Sequence, residues 1–278
     1  KLETRNLLRK YYTMFNNLGH IKVEIILPNY NSEAYLEEAI KSIINQTFKN
    51  WRLTIVDDNS NTATQKILKK YNGYKNINII KLKKNKKAGF CRNFAIRNSK
   101  SEYIAFIDSD DVWKKEKLSK QLDFMTKNNY QFTYTNYQPF QITKNYYRSI
   151  DKDDFDSFPV IKPPKYFDYN SFTRNTSIAT STMVIKRSLI GNTKFSNTAI
   201  CEDYFFKCQI LKKIKYAYCL SENLMRYRVR ENSLQSNKMR NLYWIWHINK
   251  NYNKMNLLKN LLSILCISLS SIKRYGFK

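Results

Sequence analysis

Histidine and paired cysteines are scarce in this chain. It has 2 histidines and 5 cysteines, and no two cysteines show the Cys-x-x-Cys spacing. Disulfide frameworks and zinc sites need such residues in sets, so the composition argues against both and is typical of a protein from a reducing compartment. Residues 1–10 are rich in charge and contain no apolar core segment, so we expect no signal peptide.

Long hydrophobic runs are missing as well. The most apolar stretch lies near the C-terminus and is shorter than the roughly 20 residues that span a bilayer. Its large apolar residues recur at helical spacing between lysines, which predicts an amphipathic helix: Leu258, Leu261, Leu262, Leu265, Leu269 and Ile272. This helix either lies on anionic lipid or docks on the protein core or on a second subunit, and the sequence leaves both readings open.

Acidic residues are few. The chain has 22 Asp and Glu against 49 Lys and Arg, which gives a formal net charge of +27. Such a charge fits nucleic acid, an anionic membrane surface or an anionic substrate. No nucleic-acid-binding motif is present, so we expect no nucleic-acid partner.

Three of the few acids nevertheless stand together. The apolar run 103–107 ends at Asp108, Asp110 and Asp111, which would repel one another unless a cation lies among them. A hard divalent cation that bridges to phosphate is the natural partner. The alternative is that Asp110 or Asp111 simply caps a helix that starts near Lys114.

Apolar strand-like runs alternate with helical segments from residue 22 onward. This alternation predicts an α/β fold with a mostly parallel, Rossmann-like sheet flanked by helices. We expect an N-terminal arm or helix over 1–21, an α/β domain over 22–235 and an amphipathic C-terminal helical extension over 236–278. The predicted strands cover 23–27, 52–56, 77–82, 103–107, 181–185, 215–220 and 225–229.

The predicted helices cover 33–45, 89–98, 114–128 and 203–211, and a further helix begins with a capping box at Thr62–Gln65. Residues 135–180 are less regular, and 151–169 resembles a loop or lid. Polar clusters follow the first, second and fourth strands, at Pro28–Asn31, at Asp57–Ser60 and at the three acids. Ligands bind at the carboxyl ends of parallel strands, so these clusters predict one shared site.

Five segments of the chain form a recognisable series: Val23–Asn31, Thr54–Ser60, Ala88–Asn93, Phe106–Asp111 and Cys201–Tyr204. In this order they resemble the motifs of family 2 glycosyltransferases of the inverting, glycosyltransferase-A type. The resemblance covers roughly residues 22–235. It implies transfer of a hexose or N-acetylhexosamine from a UDP-sugar to a hydroxyl of a growing surface glycan such as lipooligosaccharide, capsule or a lipid-linked oligosaccharide.

The resemblance also implies roles for residues at the donor. Pro28 and Tyr30 would shape the uracil pocket, and Asp57 would accept a hydrogen bond from the base. The alternative for Asp57 is a turn former. Arg92 would contact the donor, unless it is an ordinary surface arginine.

The resemblance also places Asp108 and Ser109 at the ribose or sugar of the donor. It makes Asp110 a ligand of Mn²⁺ or Mg²⁺, and this cation would neutralise charge on the departing UDP. The resemblance makes Asp203 the general base that deprotonates the acceptor, and Glu202 an acceptor-binding residue. The alternative for Asp203 is a helix cap.

One position in a run of arginines departs from the family pattern. Arg226, Arg228 and Arg230 alternate along a predicted strand and so share one face, and Arg230 stands where many relatives have histidine. Arginine does not ligate metal but binds phosphate bidentately, so Arg230 would supply charge to the diphosphate of the donor. The alternative is a solvated basic edge strand.

These inferences predict an enzyme on the inner face of the cytoplasmic membrane. Its partners would be a UDP-sugar, a glycan or glycolipid acceptor, an anionic membrane surface and, as a further candidate, a second copy of the chain. Two other functions remain open at this stage: a basic nucleic-acid-binding α/β module and an inactive glycosyltransferase-like scaffold.

Overall fold

One sheet runs through both halves of the α/β domain. The computed structural model describes residues 20–141, 158–230 and 237–275, so most of the predicted arm over 1–21 lies outside the described residues. Nine strands form the sheet in the order β3-β2-β1-β4-β8-β6-β9-β5, with β7 paired to β9. They are β1 Val23–Asn29, β2 Trp51–Asp57, β3 Ile77–Lys81, β4 Tyr103–Phe106, β5 Val112–Trp113, β6 Phe132–Phe140, β7 Tyr166–Phe167, β8 Val184–Lys186 and β9 Ala217–Arg228.

The first half of the sheet is parallel, as predicted. Strands β3, β2, β1 and β4 all run in one direction. The second half is mixed: β8 is antiparallel to β4 and β6, whereas β6 and β9 are parallel. The carboxyl ends of β1, β2 and β4 therefore meet at one edge, where Asn29 lies opposite Asp57.

Nine helices are assigned in the described residues. They are α1 Leu36–Ile44, α2 Thr62–Lys69, α3 Lys87–Asn98, α4 Lys117–Lys127, α5 Tyr169–Phe172, α6 Arg187–Ile190, α7 Glu202–Leu211, α8 Lys238–Asn251 and α9 Leu257–Tyr275. The predicted capping box at Thr62 is wrong. Asn61 is the cap of α2, and its Oδ1 accepts from the Thr64 N–H at 2.9 Å. Gln65, the other half of that box, instead bonds to Asp57.

The second half of the domain differs most from the prediction. The region 135–180, expected to be irregular, contains most of β6, which is nearly continuous in burial because it lies between two other strands. The strands predicted at 215–220 and 225–229 are one strand, β9. The predicted strand at 181–185 is a 3₁₀ turn over Thr180–Thr182 followed by β8. Of the predicted lid over 151–169, residues 151–157 lie outside the described part of the chain.

The core lies on both faces of the sheet because successive strand residues point to opposite sides. Ile26, Val56 and Phe106 pack on one face. Ile25, Leu53 and the residues that cover them from α1 and α4 pack on the other. Burial on both faces is typical of a parallel sheet covered by helices.

The C-terminal helices α8 and α9 join the core through apolar residues, among them Ile248 and Ile267, and pack on each other through polar side chains as well. Asn249 donates to Asn260 Oδ1 and to Ser263 Oγ, each at 3.1 Å, and Ser263 donates to the Thr173 carbonyl at 2.5 Å. All three side chains are buried. The leucines of α9 consequently face outward, and Leu258 is 79% exposed. Within the described residues, no helix has the length and apolar character needed to cross a membrane.

Candidate active site

Asp111, the third acidic residue of the loop after β4, holds that loop in place through hydrogen bonds. Asp111 is buried; its Oδ2 accepts from Ser181 Oγ at 2.5 Å and its Oδ1 accepts from the Arg228 N–H at 3.0 Å. Burial and the neighbouring acids Asp110 and Asp108 raise the pKa of Asp111 well above its usual value. The helix-cap alternative for Asp110 and Asp111 is wrong, because α4 begins only at Lys117 and its N-cap position is Glu116.

Asp110 faces an arginine instead of a histidine. Arg230 Nε lies 2.8 Å from Asp110 Oδ2. Burial and the charge of Asp108 raise the pKa of Asp110, while Arg230 opposes that rise. The predicted nearness of Arg230 to the acid cluster is therefore present in the structure.

Arg228 lies underneath that pair. Its side chain is almost fully buried, its Nε donates to the Asp110 carbonyl at 2.8 Å, and a terminal nitrogen pairs with Glu38. The guanidinium also stacks over the Tyr35 ring at 4.6 Å. The solvated-edge alternative is thus wrong for this arginine, which anchors the backbone of the loop Asp108–Asp111, called the acid loop below. Sequence reasoning did not select Glu38 or Tyr35, since both lie on or beside α1, far away along the chain.

Arg92 joins two distant acids. Its Nη2 lies 2.6 Å from Asp108 Oδ1 and its Nη1 lies 2.8 Å from Glu202 Oε1. Burial opposes the charge on Arg92, but Asp108 and Glu202 outweigh it and raise the pKa of the guanidinium. At 4% exposure Arg92 is not a surface arginine. The structure occupies both of its terminal nitrogens with protein acids, so its predicted contact with the donor remains a prediction.

A glycine lets α3 approach the start of α7. A Cβ at Gly89 would come within 3.0 Å of both Glu202 Cγ and the Ser196 carbonyl. This close approach brings Arg92, one turn further along α3, within reach of Glu202. Burial and Asp203 raise the pKa of Glu202, and Arg92 opposes that rise.

Asp203 is not a helix cap. Cys201, in the left-handed region with φ 60°, is the N-cap position of α7. The Asp203 Oδ2 atom instead accepts from Lys207 Nζ at 2.6 Å and from Thr180 Oγ1 at 2.9 Å. Sequence reasoning missed both partners. The four-residue spacing of Asp203 and Lys207 on a helix was an available signal for one of them.

The predicted uracil pocket is only partly open. Tyr30 is 52% exposed beyond the end of β1. Asp57, in contrast, is fully buried and accepts from Asn29 Nδ2 at 2.7 Å, from Gln65 Nε2 at 2.5 Å and from the Ser60 N–H at 3.3 Å. The turn-forming role of Asp57 is thus observed, and its bond to a base stays a prediction.

Ser109 and Asp58 also lie at this edge of the sheet and connect its loops. Ser109 lies 2.6 Å from Ser32, oxygen to oxygen, which ties the acid loop to the loop that carries Tyr30. Asp58, which sequence reasoning did not assign, accepts from the N–H groups of Lys86 and Lys87 at 2.6 and 2.7 Å. The structure therefore brings the predicted residues of all five motifs to one edge of the sheet.

Comparison with known proteins identifies the family. The model for glycosyl transferase family 2 matches residues 24–192. The chain belongs to glycosyltransferase family 2. Among similar proteins is the putative teichuronic acid biosynthesis glycosyltransferase TuaG of Bacillus subtilis, which is 32% identical over 85% of this chain and 90% of the relative. Another is WfgD of Escherichia coli, named a UDP-Glc:alpha-D-GlcNAc-diphosphoundecaprenol beta-1,3-glucosyltransferase. It is 30% identical over 92% of this chain and 95% of the relative.

Solved structures support the fold of this glycosyltransferase. S. aureus TarS 1–349 in complex with UDP-GlcNAc superimposes with a TM-score of 0.66 over 91% of this chain and 73% of that one, at 20% identity. The mannosyltransferase PcManGT from Pyrobaculum calidifontis, in complex with GDP-Man and Mn²⁺, superimposes with a TM-score of 0.63 over 91% of this chain and 70% of that one, at 14% identity. The predicted glycosyltransferase-A fold is confirmed, and the nucleic-acid-binding alternative is set aside.

The acid loop of the glycosyltransferase suits a hard cation only in part. Within the described residues, no group of three His, Cys, Asp or Glu side chains could hold a metal. Asp108 and Asp110 offer carboxylate oxygens and keep 34% and 16% of their side chains exposed. These two acids fit Mn²⁺ or Mg²⁺ if the remaining ligands come from the diphosphate of the donor and from water, which is common for Mg²⁺.

Proposed function

We propose that this glycosyltransferase moves a hexose or N-acetylhexosamine from a UDP-sugar to a hydroxyl of a growing surface glycan, with inversion. The observation that carries the proposal is the link Asp108–Arg92–Glu202, which holds the acid loop against the start of α7. A donor at the acid loop would therefore have its sugar beside Asp203.

The chemistry needs one group that removes a proton. In the proposed reaction, Asp203 Oδ1 takes the proton of the acceptor hydroxyl as its oxygen forms a bond to the anomeric carbon. The bond from that carbon to the phosphate oxygen breaks on the opposite side, and its electron pair leaves with UDP. A positioned base of this kind contributes about 10²–10⁴-fold to the rate.

A UDP-sugar is the favoured donor. The name of WfgD specifies UDP-Glc, and TarS binds UDP and UDP-GlcNAc. In this chain, Tyr30 would offer an exposed ring to the base, and Arg230 together with the buried Arg228 would bring positive charge to the diphosphate. A cation on Asp108 and Asp110 would neutralise charge on the departing diphosphate.

The proposed acceptor is a glycan or glycolipid at the inner face of the cytoplasmic membrane. The names of TuaG and WfgD, respectively, refer to teichuronic acid and to a diphosphoundecaprenol-linked sugar. The exposed leucines of α9 are the candidate lipid contact. Exposed Lys254 and Lys259 lie beside them, which suits anionic headgroups.

Donor hydrolysis by the purified protein tests the proposal. A panel of UDP-, dTDP- and GDP-sugars, each with Mn²⁺ and with chelator, should show release of nucleotide diphosphate from one UDP-sugar above the others. Preference for a dTDP- or GDP-sugar would overturn the donor assignment. Tight UDP binding without turnover of any donor, even with lipid-linked acceptors present, would instead indicate the inactive scaffold.

A further inference from the structure

Lys207 is a buried lysine whose ammonium group pairs with Asp203. It lies one helical turn after Asp203 on α7, and only 4% of its side chain is exposed. Its Nζ donates to Asp203 Oδ2 at 2.6 Å and to the Ile178 carbonyl at 2.7 Å. A buried ammonium is costly without such partners, so this lysine is fixed in place by Asp203 and by the chain next to the 3₁₀ turn.

The two donors leave Asp203 with one available oxygen. Lys207 and Thr180 both bond to Oδ2, and no other described residue bonds to Oδ1. Rotation of the carboxylate would break both hydrogen bonds. The orientation of the carboxylate is therefore set by groups behind it, while 22% of the side chain stays exposed.

We infer that Lys207 is the positioning residue of the catalytic base, holding Asp203 ionised with Oδ1 directed to the acceptor hydroxyl. This inference rests on the proposed role of Asp203 as base. Lys207 itself touches neither substrate; it acts through the carboxylate.

The electrostatics of the surroundings agree with this role. Burial opposes ionisation of Asp203, but Lys207 and Arg92 outweigh it and lower the pKa of the carboxyl to about 2. The charge of Asp203 in turn raises the pKa of Glu202, the neighbouring acid. The groups that face Asp203 are Lys207 and Glu202 on α7, Cys201 before it, Arg92 from α3 and Thr180 from the 3₁₀ turn.

A pH profile separates this role from a merely structural one. An acid with a pKa of about 2 is ionised throughout the usual assay range, so Asp203 should contribute no acidic limb to the wild-type kcat/KM above pH 4 or so. Without the ammonium, burial raises the pKa of Asp203. Removing an opposite charge at this distance raises the pKa of a carboxyl by about 1–3 units. That change takes Asp203 from about 2 to about 3–5, so the kcat/KM of Lys207→Met should show an acidic limb between about pH 4 and pH 6 that wild-type Asp203 does not contribute.

Three variants make the test. Lys207→Met should lower kcat and shift the acidic limb upward by at least about one unit, whereas Lys207→Arg should restore most of both. Lys213→Met is the control: the exposed Lys213 also donates from Nζ to two backbone carbonyls, those of Leu189 and Ile190, but contacts no acid in the described chain. The control should leave the pH profile unchanged.

The outcomes are distinguishable from failure of the proposed function. If Asp203→Asn is inactive and Lys207→Met keeps the wild-type profile and kcat, the inference on Lys207 is overturned alone. If Asp203→Asn keeps its activity, the base assignment itself is wrong. Should Lys207→Met not fold, Lys207→Gln keeps a side-chain donor for the Ile178 carbonyl but carries no charge, and an unchanged profile together with an unchanged kcat in that variant would overturn the inference.

Discussion

Arg230 Nε and Asp110 Oδ2 lie 2.8 Å apart at the open edge of the acid loop. The arginine thus occupies one oxygen of the carboxylate that would bind a cation. In the proposed site, Arg230 and a cation would therefore compete for Asp110 until the diphosphate of the donor offered oxygens to both.

This competition predicts opposite effects of one substitution. Arg230→Gln should tighten Mn²⁺ binding to the free enzyme and weaken UDP binding in the presence of Mn²⁺. Asp110→Asn should remove the metal-dependent part of UDP affinity, because an amide is a poorer ligand for a hard cation. Isothermal titration of each variant with Mn²⁺ and with UDP measures both. Equal UDP affinity with and without chelator would make Arg230, rather than a metal, the counter-charge of the diphosphate.

The base assignment predicts a large loss of rate without loss of binding. Asp203→Asn should lower transfer at least about a hundredfold while the Kd of the UDP-sugar stays near the wild-type value, since in the proposed complex the donor would contact other residues. Asp123→Asn is the matched control: Asp123 also pairs with a lysine four residues later, Lys127, and is 23% exposed against 22% for Asp203.

Retention of more than about a tenth of the wild-type rate by Asp203→Asn would contradict the assignment. Glu202→Gln is not a suitable control for this experiment, because Glu202 holds Arg92. We expect that variant to disturb the acid loop as well as acceptor binding.

The outward leucines of α9 predict membrane association that can be removed without unfolding the protein. Changing Leu258, Leu261 and Leu265 to Gln leaves the buried Asn249–Ser263 contacts intact, so the melting temperature should change little. Co-sedimentation with anionic vesicles should fall strongly. The opposite outcome is a wild-type protein that does not bind vesicles but forms dimers, together with a triple variant that stays monomeric. That result would show that this face binds a second copy of the chain.

Buried Lys117 predicts a pH-dependent stability outside the active site. Its Nζ donates to Gln121 at 2.9 Å and lies 4.1 Å from the Trp113 ring, and burial lowers its pKa from 10.5 to about 7. Between these pKa values the unfolded chain binds the extra proton, so stability from this group rises as the pH rises from 7 toward 10. Lys117→Met should flatten that rise in thermal unfolding measured across this range. Parallel curves for both proteins would contradict it.

The contact at Gly89 predicts that a single methyl group disturbs the site. Gly89→Ala places a Cβ within 3.0 Å of Glu202 Cγ and of a backbone carbonyl, and overpacking of this kind costs about 1–3 kcal/mol. We expect a lower melting temperature and a reduced kcat. Full activity together with an unchanged melting temperature would show that α7 moves freely away from α3.

Local patterns in the sequence determined the first half of the fold and indicated which residues belong to the candidate site. The strands β1 to β4 are short apolar runs bounded by polar turns, and polar residues at their ends converge because parallel strands share one edge. Strand β6 was missed because it mixes tyrosine, threonine and asparagine, and its burial depends on neighbours that come later in the chain.

Tertiary structure alone decided which partner each site residue has and which way the C-terminal helix faces. Arg92 meets Asp108 and Glu202, which are 16 and 110 residues away, and no local rule pairs such residues. The leucine stripe of α9 was equally consistent with burial or exposure. It faces outward because Asn260 and Ser263 find hydrogen-bond partners in α8 and after α5. Buried polar groups must be satisfied, and their partners exist only once the chain has folded.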